Sequence, residues 1–414
     1  MGLIDRIACA GIHQVKNAAN FARGLPVSLP SLGSMTLDLD DVSLARQFLK
    51  KEAYDQDSKI TLQYEQEFAQ WNGSKHAFAF MSGRVALSAT IHALGLEPGD
   101  EVILPGYTCV VVPNAFHFAN IETVYSDIEL NTYGLDATQI KSKITSKTRA
   151  ILLHHLYGLV CRDYEAILDI AKHHGLKVIE DCAQATGAEF KGLKVGNRGD
   201  IAFYSSEQSK VYNTIQGGMA TTNDDNLAKR LKEYYDQAPL PDSTWTSNLL
   251  HNVILNYYQI KHPKRYWVGD LANLKYGHKR MVSTTQDEVE GIQPNIYGMK
   301  MPGPIAALGS NQLKKIDAYN SLRRKTIPRW DKWAELKGYN KPLVIVDSVP
   351  VFLRYPILVE PEKKQDLSWG VRELGLIPGV WFISPLHPSS QSVSDCPNSY
   401  KAVQQCINFP SILN

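Results

Sequence analysis

Between residues 76 and 223, short apolar runs alternate with amphipathic stretches. "HAFAFM" (76–81) predicts a strand. "GRVALSATIHALGL" follows it, and Val85, Leu87, Ile91, Leu94 and Leu96 make one helical face. "EPGD" reads as a turn. "EVIL" and "TVYSDI" predict short strands, and "AILLHHLY" (150–157) a nearly continuous buried one. "DYEAILDIAKHHG" predicts a helix with Gly175 placed to end it, and "KVIEDCA" and "DIAFY" predict the next strands. Strands alternating with helices imply an α/β fold with a mostly parallel sheet covered by helices on both faces. In such sheets functional groups gather past the C-terminal ends of the strands.

The character changes near residue 236. A helix is expected around 245–259, followed by irregular chain that turns basic at Lys261, Lys264 and Arg265. Leu249, Val253, Leu255 and Tyr258, with Trp267 beyond, form an apolar stripe. It suits packing against the protein or a partner subunit, with a membrane-surface contact as the other reading. Beyond it, residues 304–330 predict one long amphipathic helix. "LVIVD" and "VFLRYPILV" predict strands, "KKQDLSWGVRELG" a helix, and the C-terminus reads as loop-rich. The division expected is an N-terminal arm (1–35), a large α/β domain (36–235), an insert (236–295) and a smaller α+β C-terminal domain (296–414).

Composition narrows the function. The 414 residues carry 44 Lys+Arg against 42 Asp+Glu, a net charge of +2, which argues against a nucleic-acid binder. Six scattered cysteines without a C-x-x-C pair argue against a metal site or disulfide framework, and fit a reduced, cytoplasmic protein. "MGLIDRIACAGIHQVKNAANF" does not read as a signal peptide, and no apolar run reaches membrane-spanning length, so no transmembrane segment is expected.

Four features carry chemistry in combination. Lys210 follows the "DIAFY" strand, and Asp181 ends "KVIED". Ser82-Gly83 lies between a strand and a helix, where free backbone N–H groups suit a phosphate. Ser205, five residues before Lys210, offers a hydroxyl. Singly, each has an ordinary reading: a surface lysine, a turn-forming aspartate, a Ser-Gly turn, a strand-end serine. Together they match the needs of pyridoxal 5′-phosphate (PLP). Its aldehyde takes a lysine amine as a Schiff base, its pyridine nitrogen a carboxylate, and its phosphate a helix N-terminus with hydroxyls.

The sequence resembles the DegT/DnrJ/EryC1/StrS family of PLP-dependent sugar aminotransferases, which have the aspartate-aminotransferase (type I) fold. The resemblance runs from about residue 62 to 235 and resumes near 297. It rests on "SGRVALSATIHALGLEPGDEVILPGYTC", "HLYG" (155–158), "IEDCAQATGAEFKGLKVGNRGD" and "SSEQSKVYNTIQGGMATTND". It implies that Lys210 binds the cofactor covalently and shuttles a proton, and that Asp181 holds the pyridinium nitrogen. It also implies that Gln184 lies near the ring and its 3′-oxygen, and that Ser205 and the N–H groups of Gly83 and Arg84 hold the phosphate. Four positions depart from the family pattern. Arg84 replaces a threonine, and its guanidinium is expected on the phosphate or in solvent. Cys109 replaces a ring-stacking aromatic, for which Tyr107 is a candidate substitute. The "YGMKM" run (297–301) places Gly298 where the family has an asparagine that reaches the neighbouring subunit's cofactor, and Lys300, a charge without the amide, where it has an arginine.

The resemblance implies transfer of an amino group from glutamate or glutamine to a keto-sugar, nucleotide-linked, for a polysaccharide or secondary metabolite, by a homodimer with shared active sites. A cyclitol ketone (inosose) is the alternative acceptor. A deoxysugar dehydratase would carry histidine at position 210, which Lys210 opposes. A non-catalytic regulatory or scaffold protein of the same fold is the alternative of another class. His155 and His387 are readable as either site or structural residues.

Overall fold

The computed structural model describes residues 33–50, 58–260 and 281–413. Most of the expected N-terminal arm, and Lys261, Lys264, Arg265 and Trp267, lie outside the described residues.

Seven strands form the central sheet: β1 (His76–Phe80), β2 (Glu101–Pro105), β3 (Glu122–Ser126), β4 (Thr148–His154), β5 (Lys177–Asp181), β6 (Ile201–Ser205) and β7 (Gly218–Thr222). Their spatial order is β1-β7-β6-β5-β4-β2-β3. Neighbours from β6 through β3 pair in parallel, and β7 alone runs the other way, antiparallel to both β6 and β1. The strands are buried on both faces because side chains alternate between two cores. In β4, Ile151 and Leu153 join one core, and Ala150 and Leu152 the other. The first core includes the helices Leu39–Leu49, Ser58–Asn72, Tyr164–His174, Ser243–Ile260 and Gly303–Leu313. The second includes Gly83–Leu94, Val111–His117 and Asp225–Gln237. Each fully buried Leu, Ile or Val contributes about 1.5–3 kcal/mol against the entropy of ordering the chain.

The stripe on the Ser243–Ile260 helix is core. Leu249 and Val253 are fully buried and Leu255 nearly so, and the helix packs on Leu39–Leu49 and Gly303–Leu313. Among the described residues, Leu249, Val253 and Leu255 are thereby taken up by the protein itself, and Tyr258 is half-buried.

A third core fills the C-terminal part. Strand Arg354–Leu358 pairs antiparallel with Cys406–Pro410, and Trp330 stacks on Phe409 at 4.6 Å between ring centroids. Here several sequence expectations need correction. The long helix is two, Gly303–Leu313 and Ile316–Lys337, separated at Lys314–Lys315. "LVIVD" is not a strand: Leu343, Val344 and Val346 are exposed, and only Ser348–Val349 pairs, with Glu189–Phe190. "KKQDLSWGVRELG" divides between the helices Pro361–Gln365 and Ser368–Leu374. The C-terminus holds a helix, Pro397–Gln405, and the strand Cys406–Pro410. Strand β4 stops at His154, and Leu156–Gly158 is a tight turn with Tyr157 at φ +58°.

Candidate active site

Strand register brings the predicted residues to one rim. Phe80 pairs with Gly218 and Gly218 with Ser205, while His154 pairs with Asp181 and Asp181 with Phe203. Past those ends opens a cavity of about 510 Å³ lined by Gly83, Arg84, Cys109, Asp181, Gln184, Ser205 and Lys210, among others.

One side of the cavity is a cradle. Ser82 caps the Gly83–Leu94 helix, its hydroxyl accepting the Val85 N–H at 3.4 Å. The N–H groups of Gly83 and Arg84 open the helix and have no acceptor within it, and the helix dipole adds partial positive charge there. Ser205 closes the cradle so tightly that a Cβ on Gly83 would come 2.9 Å from the Ser205 Cβ and 3.3 Å from its Oγ. Gly218 packs behind it, where a Cβ would meet the Ser82 carbonyl at 2.3 Å.

The opposite side carries the carboxylate. Burial raises the pKa of Asp181, and its bond from the Ala183 N–H (2.9 Å) and the nearby charge of Lys210 pull it back only in part. A cationic N–H placed against Asp181 would relieve that penalty. Beneath it sits His155. Its Nδ1 accepts the Cys161 N–H at 3.2 Å, so Nε2 carries the proton and donates to Glu180 at 3.2 Å. Burial opposes ionisation of Glu180. Hydrogen bonds from His155, Tyr164 and Gly199 outweigh it and hold the carboxyl below its usual range.

Gln184 uses its Oε1 to accept the Tyr157 N–H at 2.9 Å, which steadies the Leu156–Gly158 turn and leaves Nε2 for a ligand. Lys210 emerges from the loop after β6, its N–H bonded to the Glu207 carbonyl at 2.8 Å and its Nζ 5.3 Å from the Trp381 ring centroid. Trp381, Phe382 and His387 from the C-terminal part complete the wall.

The departures from the family pattern resolve differently from expectation. The Arg84 side chain goes neither to the cradle at the helix N-terminus nor to solvent. It forms an ion pair with Glu288 and donates to the Ser283 carbonyl. Tyr107, the candidate substitute for the ring-stacking aromatic, does not line the cavity. It is fully buried outside the cavity lining, its hydroxyl 2.9 Å from that of Tyr157 and its ring 4.6 Å from Phe382. Cys109 does line the cavity, and burial pushes its thiol up. Lys300 lies over the Tyr235 ring at 5.4 Å, and Met299 and Met301 extend the edge of β1 through bonds to Met81 and Ala79.

Sequence reading passed over Glu207, Gln208, Gln216, Asn256 and Trp381, all in the cavity wall. Glu207 and Gln208 had a signal in their closeness to Lys210. Asn256 and Trp381 reach the site only through tertiary packing.

A model of the "DegT/DnrJ/EryC1/StrS aminotransferase family" matches residues 36–414. The chain belongs to this family. A GDP-perosamine synthase of Caulobacter vibrioides is 31% identical over 72% of this chain and 69% of its own length. An L-glutamine:2-deoxy-scyllo-inosose aminotransferase of Streptoalloteichus tenebrarius is 38% identical over 43% of each chain. Among solved structures, the aminotransferase from Psychrobacter cryohalolentis is 25% identical, covers 94% of this chain and 95% of its own, and has a TM-score of 0.67. Members of the family are PLP-dependent aminotransferases, and this chain has their type I fold and a sugar-aminotransferase function. The Gly83–Ser205 cradle and the buried, partly unrelieved Asp181 fit that cofactor. No helix among the described residues is long and apolar enough to cross a membrane.

Proposed function

We propose that this enzyme transfers an amino group from glutamate or glutamine to the ketone of a nucleotide-linked sugar, with PLP held by residues of the β1, β5 and β6 strand ends. The register that puts Asp181, Ser205 and the start of the Gly83–Leu94 helix on one rim, with Lys210 five residues beyond β6, carries this reading. The Gly83 and Arg84 N–H groups and the Ser205 hydroxyl would hold the phosphate. Asp181 would keep the ring nitrogen protonated, Gln184 would offer its Nε2 to the ring side, and Lys210 would hold the cofactor covalently through its amine. When bound, PLP supplies the electron sink that lets a carbon–hydrogen bond next to nitrogen break. Lys210 Nζ would serve as the acid and base that holds and returns that proton. A cyclitol ketone is the second acceptor reading, supported by the 38% identity to an inosose aminotransferase. A cytoplasmic homodimer belongs to the same proposal. Exposed Val282 and Ile383, each next in the chain to a cavity-lining residue, support an apolar contact at the mouth.

The test is the absorption spectrum of purified protein. A visible band near roughly 420 nm is expected, lost on adding L-glutamate or L-glutamine. Borohydride should fix the cofactor to wild type but not to Lys210→Ala. Protein that binds no PLP would refute the proposal.

A further inference from the structure

The loop that carries Lys210 also holds Ile215 at φ +69°, a conformation that β-branched residues avoid. Strain of this kind persists only where the surroundings over-determine it. Here the Asn213 Oδ1 accepts the Ile215 N–H at 2.7 Å, and the Ile215 carbonyl accepts the Gln208 N–H at 3.1 Å.

That anchor sets the polarity of a carboxamide chain. With its oxygen on a backbone N–H, Asn213 must present Nδ2, which donates to Asn256 Oδ1 at 3.3 Å. Asn256 Nδ2 in turn donates to Gln208 Oε1 at 3.0 Å. Gln208 is left with Nε2, a donor, at the cavity wall. Gln216 reaches the same state independently. The Trp245 indole N–H can only donate, and it takes Gln216 Oε1 at 3.2 Å. Asn256 and Trp245 both belong to the Ser243–Ile260 helix, so that helix fixes what both glutamines offer.

Glu207 adds an acceptor beside these donors. It is 6% exposed and lines the cavity, and its Oε2 accepts the Ser209 N–H at 3.0 Å. Its Oε1 is buried without a hydrogen-bond partner. A carboxylate oxygen left so is costly, and a turn of the side chain toward the cavity, where a ligand O–H would meet it, removes the cost. Amide donors next to a carboxylate acceptor match hydroxyl groups, which both donate and accept.

We propose that Glu207, Gln208 and Gln216, oriented by Asn256 and Trp245, form the subsite that reads hydroxyl groups of the acceptor ring. The Ser243–Ile260 helix is then the element that sets acceptor specificity. The proposal rests on the aminotransferase reading for the reaction at this site. The chemistry recognised is a hydroxylated six-membered ring ketone, either a free cyclitol or the sugar half of a nucleotide sugar.

The test is calorimetric titration of PLP-loaded protein with scyllo-inosose and, separately, with a dTDP-linked 4-ketohexose, which distinguishes the two sources. Asn256→Asp keeps the acceptor for Asn213 but replaces the donor, so Gln208 must turn its amide and offer oxygen. Trp245→Phe removes the N–H that orients Gln216. Each should weaken the probe that binds wild type by roughly tenfold or more, while the rate at which L-glutamate removes the cofactor band changes less than the probe affinity. Unchanged probe binding in both variants overturns the subsite. So does failure of wild type to bind either probe, or a loss shared equally by probe and glutamate. Probe binding that falls in the variants, in a protein that ignores glutamate, keeps the subsite and sinks the aminotransferase reading alone.

Discussion

The Arg84 guanidinium pairs with the carboxylate of Glu288, 204 residues further along the chain, and the Glu288 side chain is completely buried. Glu288 also closes the capping box of its own short helix by accepting the Thr285 N–H at 2.9 Å, and its carbonyl accepts from Asn114. The pair therefore ties the 283–288 segment to the first turn of the helix that forms the proposed phosphate cradle. Removing one partner strands a buried charge. Arg84→Met should cost about 3–5 kcal/mol in urea unfolding. The double variant Arg84→Met/Glu288→Leu should cost less than the sum of the two single variants, because the stranded charge is gone. Strict additivity in that cycle would mean that the two side chains do not interact.

The cradle makes a steric prediction. A methyl group on Gly83 would sit 2.9 Å from the Ser205 Cβ and 3.3 Å from the Tyr204 carbonyl, in the space between the helix N-terminus and β6. Gly83→Ala should weaken PLP binding by roughly tenfold or more, the worth of one or two charge-assisted hydrogen bonds. Equilibrium dialysis against PLP checks this. An affinity equal to wild type would move the phosphate elsewhere.

Asp181 makes an electrostatic one. Asparagine keeps its size and its bond from the Ala183 N–H but cannot hold a proton on the ring nitrogen by charge. Asp181→Asn should slow the loss of the cofactor band with L-glutamate by roughly 100-fold or more. Stopped-flow absorbance reads it directly. A variant as fast as wild type would remove Asp181 from the chemistry.

Much of this site was legible in sequence because it hangs on strand ends. A buried strand is a short apolar run, and Asp181 and Ser205 each close one, so their shared rim followed from the α/β pattern. Strand β7 was harder to read. Gly218 must lack a side chain because it packs on Ser82 and Gly83, and a run of Gly, Met, Ala and Thr carries little apolar signal. The "LVIVD" run shows the reverse, an apolar pattern in which Leu343, Val344 and Val346 stay exposed. The role of Arg84 was out of reach, because its partner lies in a segment that only folding brings near. Tyr107 misled for a related reason: closeness in sequence to the site says nothing about which way a side chain turns, and Tyr157 and Phe382 claim it.

Glu65 links this rim to pH. It sits on the Ser58–Asn72 helix, 7% exposed, and its Oε1 accepts the Ala79 N–H of β1 at 2.8 Å, three residues before the Ser82 cap. Burial raises its pKa to about 7, against which the Ala79 bond and Tyr235 act only in part. In the unfolded chain it titrates near the ordinary 4.5. Between those values the folded protein keeps a proton that the unfolded chain releases. The contribution of Glu65 is thus fully present below about 4.5 and is lost as pH rises through about 7. Glu65→Gln keeps an oxygen for Ala79 and cannot ionise. In urea unfolding the variant should match wild type near pH 4.5 and exceed it by about 1–3 kcal/mol at pH 8. Parallel stability curves for the two proteins across that range would show that Glu65 is already ionised in the folded state.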